Sequence, residues 1–248
     1  DLLIGVTVVL ADGTTARSGG RVVKNVAGYD LGKLYTGAHG ALGVVVSTTW
    51  RLHPLPRASR AVTIPVHGPA DAGRLAGLLA RSTLTPTAVE LHREPGGSEL
   101  VVLFESIEAS VKAQAEAAVA LLGGGTVTGE PPPWFGRRPA GPLVLRLAYA
   151  PSALPRVLEA LPAGAGCTAS ACTGVAYAAV PETTDLATLR TAIRPYDGSA
   201  VVLAAPEAAR AGLDHWGPVP DSFGLMTRVK DRFDPQRRLS PGRLLGGL

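Results

Sequence analysis

The sequence predicts an α+β fold, a mainly antiparallel sheet with helices on one face. Short β-branched runs alternate with longer amphipathic segments. The order strand–helix–strand–strand–helix–strand occurs twice, and each pass has the ferredoxin-like split βαβ arrangement. Pro-rich stretches, His53 to Pro56 and Pro131 to Pro133, punctuate the chain before each pass. The expectation is therefore a duplicated βαββαβ sheet, preceded and followed by segments of different character.

Leu2 to Leu10 reads as a strand, Ala11-Asp12-Gly13 as a turn, and Thr14 to Arg17 as a return strand. Gly19 to Tyr29 is irregular and polar. Asp30 is placed to cap a short helix, Leu31 to Tyr35. The loop Gly37 to Gly43 has glycine at every third position. It leads into Val44 to Trp50, a run that reads as a buried strand. Pro54 and Pro56 stop that strand and set the first domain boundary, giving divisions 1–57, 58–220 and 221–248.

The first pass comprises strand 61–66, helix 69–82, strands 88–92 and 99–104, helix 107–122 and strand 126–128. Ala72, Leu75, Leu78 and Leu79 form one helical stripe; Ile107, Val111, Ala115 and Val119 form the other. The second pass comprises strand 143–149, helix 152–161, strands 165–171 and 174–180, helix 184–194 and strand 200–204. A last helix, 222–233, is capped by Asp221 or Ser222 and carries Met226, Val229 and Phe233 on one stripe. Asp234-Pro235 stops it, and Gln236 to Leu248 reads as an irregular tail.

Composition excludes several function classes. The 248 residues are 46% hydrophobic, which suits a packed globular protein. The net charge of +4 comes from four Lys (Lys24, Lys33, Lys112, Lys230) and scattered Arg, without the clustering of a nucleic-acid footprint. Cys167 and Cys172 lack the further ligands of a zinc site and read as buried free thiols of a cytosolic protein. No Cys-rich motif for an iron–sulfur centre occurs, and no apolar run reaches transmembrane length. The chain opens without Met inside a strand-like run, which reads as a cut through a domain.

Two stretches carry chemistry: Gly20 to Asp30 and Gly37 to Gly43. Glycine is needed where φ is positive or where backbone must approach something closely. A Rossmann dinucleotide loop runs strand, G-x-G-x-x-G, helix; here the loop follows a helix and precedes a strand, so that reading fails. From the residues alone, a tight connector packing helix against sheet and a ligand loop both stand.

The stretch "KNVAGYDLGKLYTGAHGALGVVVSTTWRLHPLP" resembles the second half of the FAD-binding domain in the vanillyl-alcohol-oxidase/p-cresol-methylhydroxylase class. Within that class it looks most like the FAD-binding subunit of glycolate oxidase. The closing "RVKDRFDPQRRLSPGRL" resembles the family's final helix, Asp-Pro and Asn-Pro-Gly-Arg turn, with Ser240 in place of the usual Asn. The resemblance implies FAD as cofactor and a cap domain between the two motifs. Lys24, Asn25, Gly28, Tyr29 and Asp30 would then run close to the flavin. Gly37, Gly40, Gly43 and Val44 would lie against its ribityl-pyrophosphate-adenine part, and Gly242 would return near the isoalloxazine, with Arg243 a possible anion anchor. Serine at 240 loses the amide's paired donor and acceptor.

The same resemblance implies oxidation of a small 2-hydroxy acid such as glycolate by hydride transfer to flavin. Electrons would pass to flavin and iron–sulfur partner subunits, in the cytoplasm, with any membrane association through those subunits. The alternative is a non-catalytic assembly or regulatory subunit of such a complex. No catalytic base stands out. His92 beside Arg93 on a cap strand, and Tyr177, are the weak candidates, each equally readable as an ordinary half-buried residue. The family's pyrophosphate loop belongs to a segment that would precede Asp1. The chain alone is therefore expected to bind FAD weakly or not at all, with the flank of strand 2–10 left without neighbours.

Overall fold

A computed structural model describes residues 2–20, 29–210 and 212–248. Lys24, Asn25 and Gly28 lie outside the described residues. The chain forms two compact units, Asp1–Pro54 with Pro218–Leu248, and Leu55–Gly217.

The first unit opens with strands β1 (Leu3–Val9) and β2 (Thr15–Gly19), helix α1 (Leu31–Tyr35) and strand β3 (Val44–Trp50). The sheet order is β2-β1-β3, antiparallel throughout. Asp12 accepts the Thr14 N–H at 2.8 Å, and Gly13 takes φ +87° in the hairpin turn. The central place of β1 corrects the expectation that its flank is bare: among the described residues, β2 and β3 flank it on either side. It also corrects the reading of Val44 to Trp50 as buried. Val46 is 56% exposed, and no residue of β3 enters the unit's core. β-Branched sequence reports fitness for a pleated surface; burial depends on what lies over it.

The second unit holds β4 (Ala58–Pro65), α2 (Pro69–Ala80), β5 (Ala88–Glu94), β6 (Gly97–Ser106), α3 (Glu108–Leu122) and β7 (Thr126–Thr128). The second pass supplies β8 (Leu143–Ala148), α4 (Leu154–Ala160), β9 (Gly166–Ser170), β10 (Val175–Val180), α5 (Leu186–Ile193) and β11 (Ser199–Ala204). A short α6 (Glu207–Arg210) follows. The eight strands run β11-β8-β10-β9-β5-β6-β4-β7, so each pass has the same internal order. The halves join through antiparallel pairing of their equivalent second strands, Leu91 opposite Ala169 and His92 opposite Thr168. The first helices of the halves also meet: a Cβ at Gly73 would collide with Pro155 Cγ.

One continuous apolar core fills this unit, with Phe104, Leu75, Leu91, Leu145, Leu147 and Ile193 essentially dry. Burying each such side chain contributes about 1.5–3 kcal/mol. The α3 stripe is Val111, Ala115, Ala118 and Leu122, while Ile107 is the exposed N-cap residue and not an inward one. The helix expected over 152–161 begins as a 3₁₀ turn, Pro151–Ala153, because two prolines deny the first turn its N–H donors. Asp185 caps α5 by accepting the Ala187 and Thr188 N–H groups at 3.0 and 3.2 Å. The Pro-rich linker covers the opposite sheet face: Trp134 and Phe135 lie over Ala61, Val101 and Leu103.

The chain returns to the first unit as helix α7 (Phe223–Phe233). Neither Asp30 at α1 nor Ser222 at α7 makes a side-chain cap bond, contrary to expectation. Val229 and Phe233 pack on Val6, Val8, Tyr35, Ala38 and Leu42, with the Tyr35 and Phe233 rings edge-on at 6.1 Å. The fully buried residue of α7, however, is Lys230.

Candidate functional site

The loop Gly37–Gly43 folds by two devices. Ala38 donates its N–H to Tyr35, and Ala41 donates to the Ala38 carbonyl at 2.9 Å. His39 and Gly40 both take positive φ, +50° and +79°, making this a type I′ turn with His-Gly in place of the usual Asn-Gly. The closing segment forms a second turn. Arg243 donates its N–H to Ser240 across Pro241-Gly242, with Gly242 at φ +75°, the pattern of a type II turn. Ser240 itself sits at φ +44°, a conformation that Asn tolerates better than Ser.

Gly40, Gly43 and Val44 of the loop, with Arg238, Leu239 and Ser240 of the closing segment, line one cleft of about 440 Å³. A Cβ at Gly40 would lie 3.0 Å from Ser240 Oγ, a tight contact in addition to the positive φ that favours glycine there.

Beneath the cleft lies a dry ion pair. Lys230 Nζ donates to Asp234 Oδ2 at 2.7 Å, to the Ala41 carbonyl at 2.8 Å and to the Leu239 carbonyl at 2.8 Å. The ammonium's three donors are thus all used. Asp234 also accepts the Leu239 N–H at 2.7 Å and the Arg238 N–H at 2.9 Å. Burial opposes ionisation of Asp234, but the Lys230 hydrogen bond, the two backbone donors and the Lys230 charge outweigh it and hold the carboxyl at about 2. The side chains are 1% and 0% exposed.

Of the residues read from sequence, Gly40, Gly43 and Val44 are brought together at the cleft. Gly37, at φ +81°, and Gly242 belong to the same loop and turn, and a Cβ on either would meet nothing within 4 Å. Tyr29 is 91% exposed, and Asp30 pairs with Lys33 at 3.5 Å on the surface. Sequence reasoning missed Lys230 and Asp234. The signal was present: Lys230 falls at the fourth position of the stripe Met226, Val229, Phe233, where an apolar residue is expected.

The cap candidates are otherwise engaged. His92 stacks under Trp134 at 4.6 Å between ring centroids and its Nε2 lies 3.0 Å from Glu94. Arg93 donates to the Leu158 carbonyl at 2.6 Å, capping the C-terminal end of α4. Tyr177 lies under the Arg138 guanidinium, 4.8 Å from its ring centre. Cys167 and Cys172 are free thiols, and burial pushes Cys167 up to about 12, against the opposing charge of Arg93. Among the described residues no cluster of three metal-ligating side chains occurs, and no helix is long and apolar enough to cross a membrane.

No family profile matches the chain. It is 33% identical over 95 residues to glycolate oxidase subunit GlcD of Bacillus subtilis, covering 38% of this chain and 20% of that protein. It is 44% identical over 59 residues to glycolate oxidase subunit GlcE of Escherichia coli, covering 24% and 17%. Against D-lactate dehydrogenase [cytochrome] 1 of Saccharomyces cerevisiae it is 35% identical over 92 residues, covering 37% and 16%. Each match spans a fifth or less of the relative's length. Among solved structures, p-cresol methylhydroxylase superposes with a TM-score of 0.65 at 16% identity, over 98% of this chain and 64% of that one. Xylooligosaccharide oxidase from Myceliophthora thermophila gives 0.61 at 14% identity, over 96% and 64%. The fold is that of the p-cresol-methylhydroxylase-type oxidases, and the sequence relatives are glycolate oxidase subunits and D-lactate dehydrogenases.

Proposed function

We propose that this chain is part of an FAD-linked oxidoreductase that oxidises a small 2-hydroxy acid, glycolate or D-lactate being the nearest candidates. Residues 1–57 and 221–248 are read as its flavin side and 58–220 as its substrate-side cap. The observation that carries this reading is the juxtaposition of the glycine loop with the Ser240–Arg243 turn. These are the two segments that resemble flavin-contacting segments, and Gly40, Gly43 and Val44 of the first share the lining of one cleft with Ser240 of the second. Relatives whose names specify glycolate and D-lactate support the substrate class.

The residues present fit part of such a cofactor. Gly37 and Gly242 offer backbone with open space where a side chain would stand, so a ligand can approach the main chain there. The cleft takes a portion of a dinucleotide, not the whole. When bound, FAD supplies the acceptor for hydride leaving a C–H that bears a hydroxyl. The chain's own part is to hold the loop Gly37, Gly40, Gly43 and Val44 and the Gly242 turn in register. Arg243 stands next to that turn as a candidate anion anchor. Both glycolate oxidase relatives are named as subunits, which supports assembly with partner subunits; flavin and iron–sulfur groups on those partners, and a cytoplasmic location, rest on the sequence resemblance alone.

Equilibrium dialysis of the 248-residue chain against FAD, followed by desalting and a visible spectrum, tests the reading. Saturable uptake that is weak and lost on desalting is expected. No flavin in the complex isolated with its partner subunits would remove the cofactor assignment. The complex isolated with its partner subunits should lose its visible flavin band on anaerobic addition of glycolate or D-lactate. Bound flavin that neither acid bleaches would favour an assembly subunit over an enzyme.

A further inference from the structure

A buried charge is costly, and a dry ion pair is often replaceable by apolar side chains without loss of stability. Helix α7 does not need Lys230 for its packing, because Val229 and Phe233 already bury its apolar stripe. What an apolar residue cannot do is bond three oxygens at once: one in the glycine loop, one in the closing tail and one at the end of its own helix. Lys230 Nζ binds the Ala41 carbonyl inside the glycine loop, the Leu239 carbonyl at the start of the closing turn, and Asp234. Asp234 in turn holds the Arg238 and Leu239 N–H groups, so the tail is gripped from both sides of its peptide planes. The ammonium, 189 residues from Ala41, therefore ties the glycine loop to the closing tail, beside the cleft that both line.

We infer that Lys230 is a positioning residue: it fixes the glycine loop against the Ser240–Arg243 turn and so sets the shape of the cleft for the ligand it receives. The ligand, a flavin dinucleotide, rests on the function proposed above; the clamp itself rests on the geometry alone. Loop and turn should then loosen together, and neither should loosen alone. Asp234 completes the clamp by neutralising the ammonium, and its two backbone acceptor bonds make the tail's path part of the same device.

Amide hydrogen exchange on the intact chain, read by fragment for 37–43, 239–243, α7 and β5–β6, tests the clamp, with FAD affinity from equilibrium dialysis measured in parallel. In Lys230→Met, exchange in 37–43 and 239–243 should rise together by about ten- to a hundredfold, the loss of charge-assisted bonds to buried acceptors. β5–β6 should be unchanged, and FAD affinity should fall at least about tenfold. Exchange that rises in only one of the two segments, or in neither, overturns the clamp. Both segments loosening with FAD affinity intact overturns the positioning role and leaves the cofactor reading standing. If the wild-type chain takes up no FAD, affinity is compared in the complex with its partner subunits, where absence of flavin sinks the cofactor reading, while the exchange data still decide the clamp. If Lys230→Met unfolds the whole first unit, Lys230→Arg decides. Its planar fork keeps the pair with Asp234 but not the ammonium's bonds to both carbonyls, so 37–43 and 239–243 should loosen together while α7 stays protected, and an unchanged loop overturns the inference.

Discussion

The eight-stranded sheet of residues 55–217 buries its helix-facing side in a continuous apolar core. The three-stranded sheet of the first unit keeps a small core and leaves β3 exposed, with its closing tail held by one dry ion pair. In the first case stability is spread over many interchangeable hydrocarbon contacts, and a lost methylene is felt locally. In the second it is concentrated in a few atoms whose partners have no substitute. The difference matches the parts the two regions play in the proposed enzyme. A cap needs shape, whereas a cofactor loop needs a fixed backbone path.

Phe104→Ala is the largest expected blow to the larger unit. Phe104 is fully buried, and truncation should cost about 3–5 kcal/mol, seen as a lower denaturant midpoint for β5–β6 exchange protection. Loss of protection at 37–43 of the same size would break the contrast between the units. Acid should act in the opposite place. The Asp234 carboxyl is held at about 2 against an ordinary 3.8. Its contribution is therefore complete above pH 3.8 and fades as pH falls through about 2. Protection of the loop and tail should drop across that window before β5–β6 does, and simultaneous loss would argue against a local clamp.

Gly40→Ala comes next. At φ +79°, with Ser240 Oγ 3.0 Å from the new methyl, it should cost the first unit about 1–2 kcal/mol in a denaturant titration. A neutral result would mean that loop and turn do not need their close approach. The smallest effect should be a gain. Ser240→Asn places a residue tolerant of left-handed backbone at φ +44° and should raise stability by about 0.5 kcal/mol, measurable as a small rise in Tm. A loss there would show that the Ser240 hydroxyl has a packing role beside Gly40.

The larger unit was legible because its logic is periodic. Alternating strands and stripes such as Leu186, Leu189 and Ile193 announce themselves in one dimension, and the repeated order gives the duplication. Ile107 was misread because helical spacing says nothing of where the N-cap falls. The glycine loop and the Pro-Gly turn were visible as glycine spacing and turn chemistry, but their meeting across a cleft was not. That meeting depends on Lys230, a contact spanning 189 residues that no local pattern encodes. The exposure of β3 was hidden for a related reason, since Val44, Val45 and Val46 suit a strand whether or not anything covers them.

The seam between β5 and β9 has a consequence for how such a sheet is built. It joins like to like, the second strand of one half to the second strand of the other, with antiparallel register. An approximate dyad therefore runs through the sheet between Leu91 and Ala169, and each half already carries the edge that receives its twin. The pairing has the form of an isologous interface, such as joins two like subunits, made here within a single polypeptide.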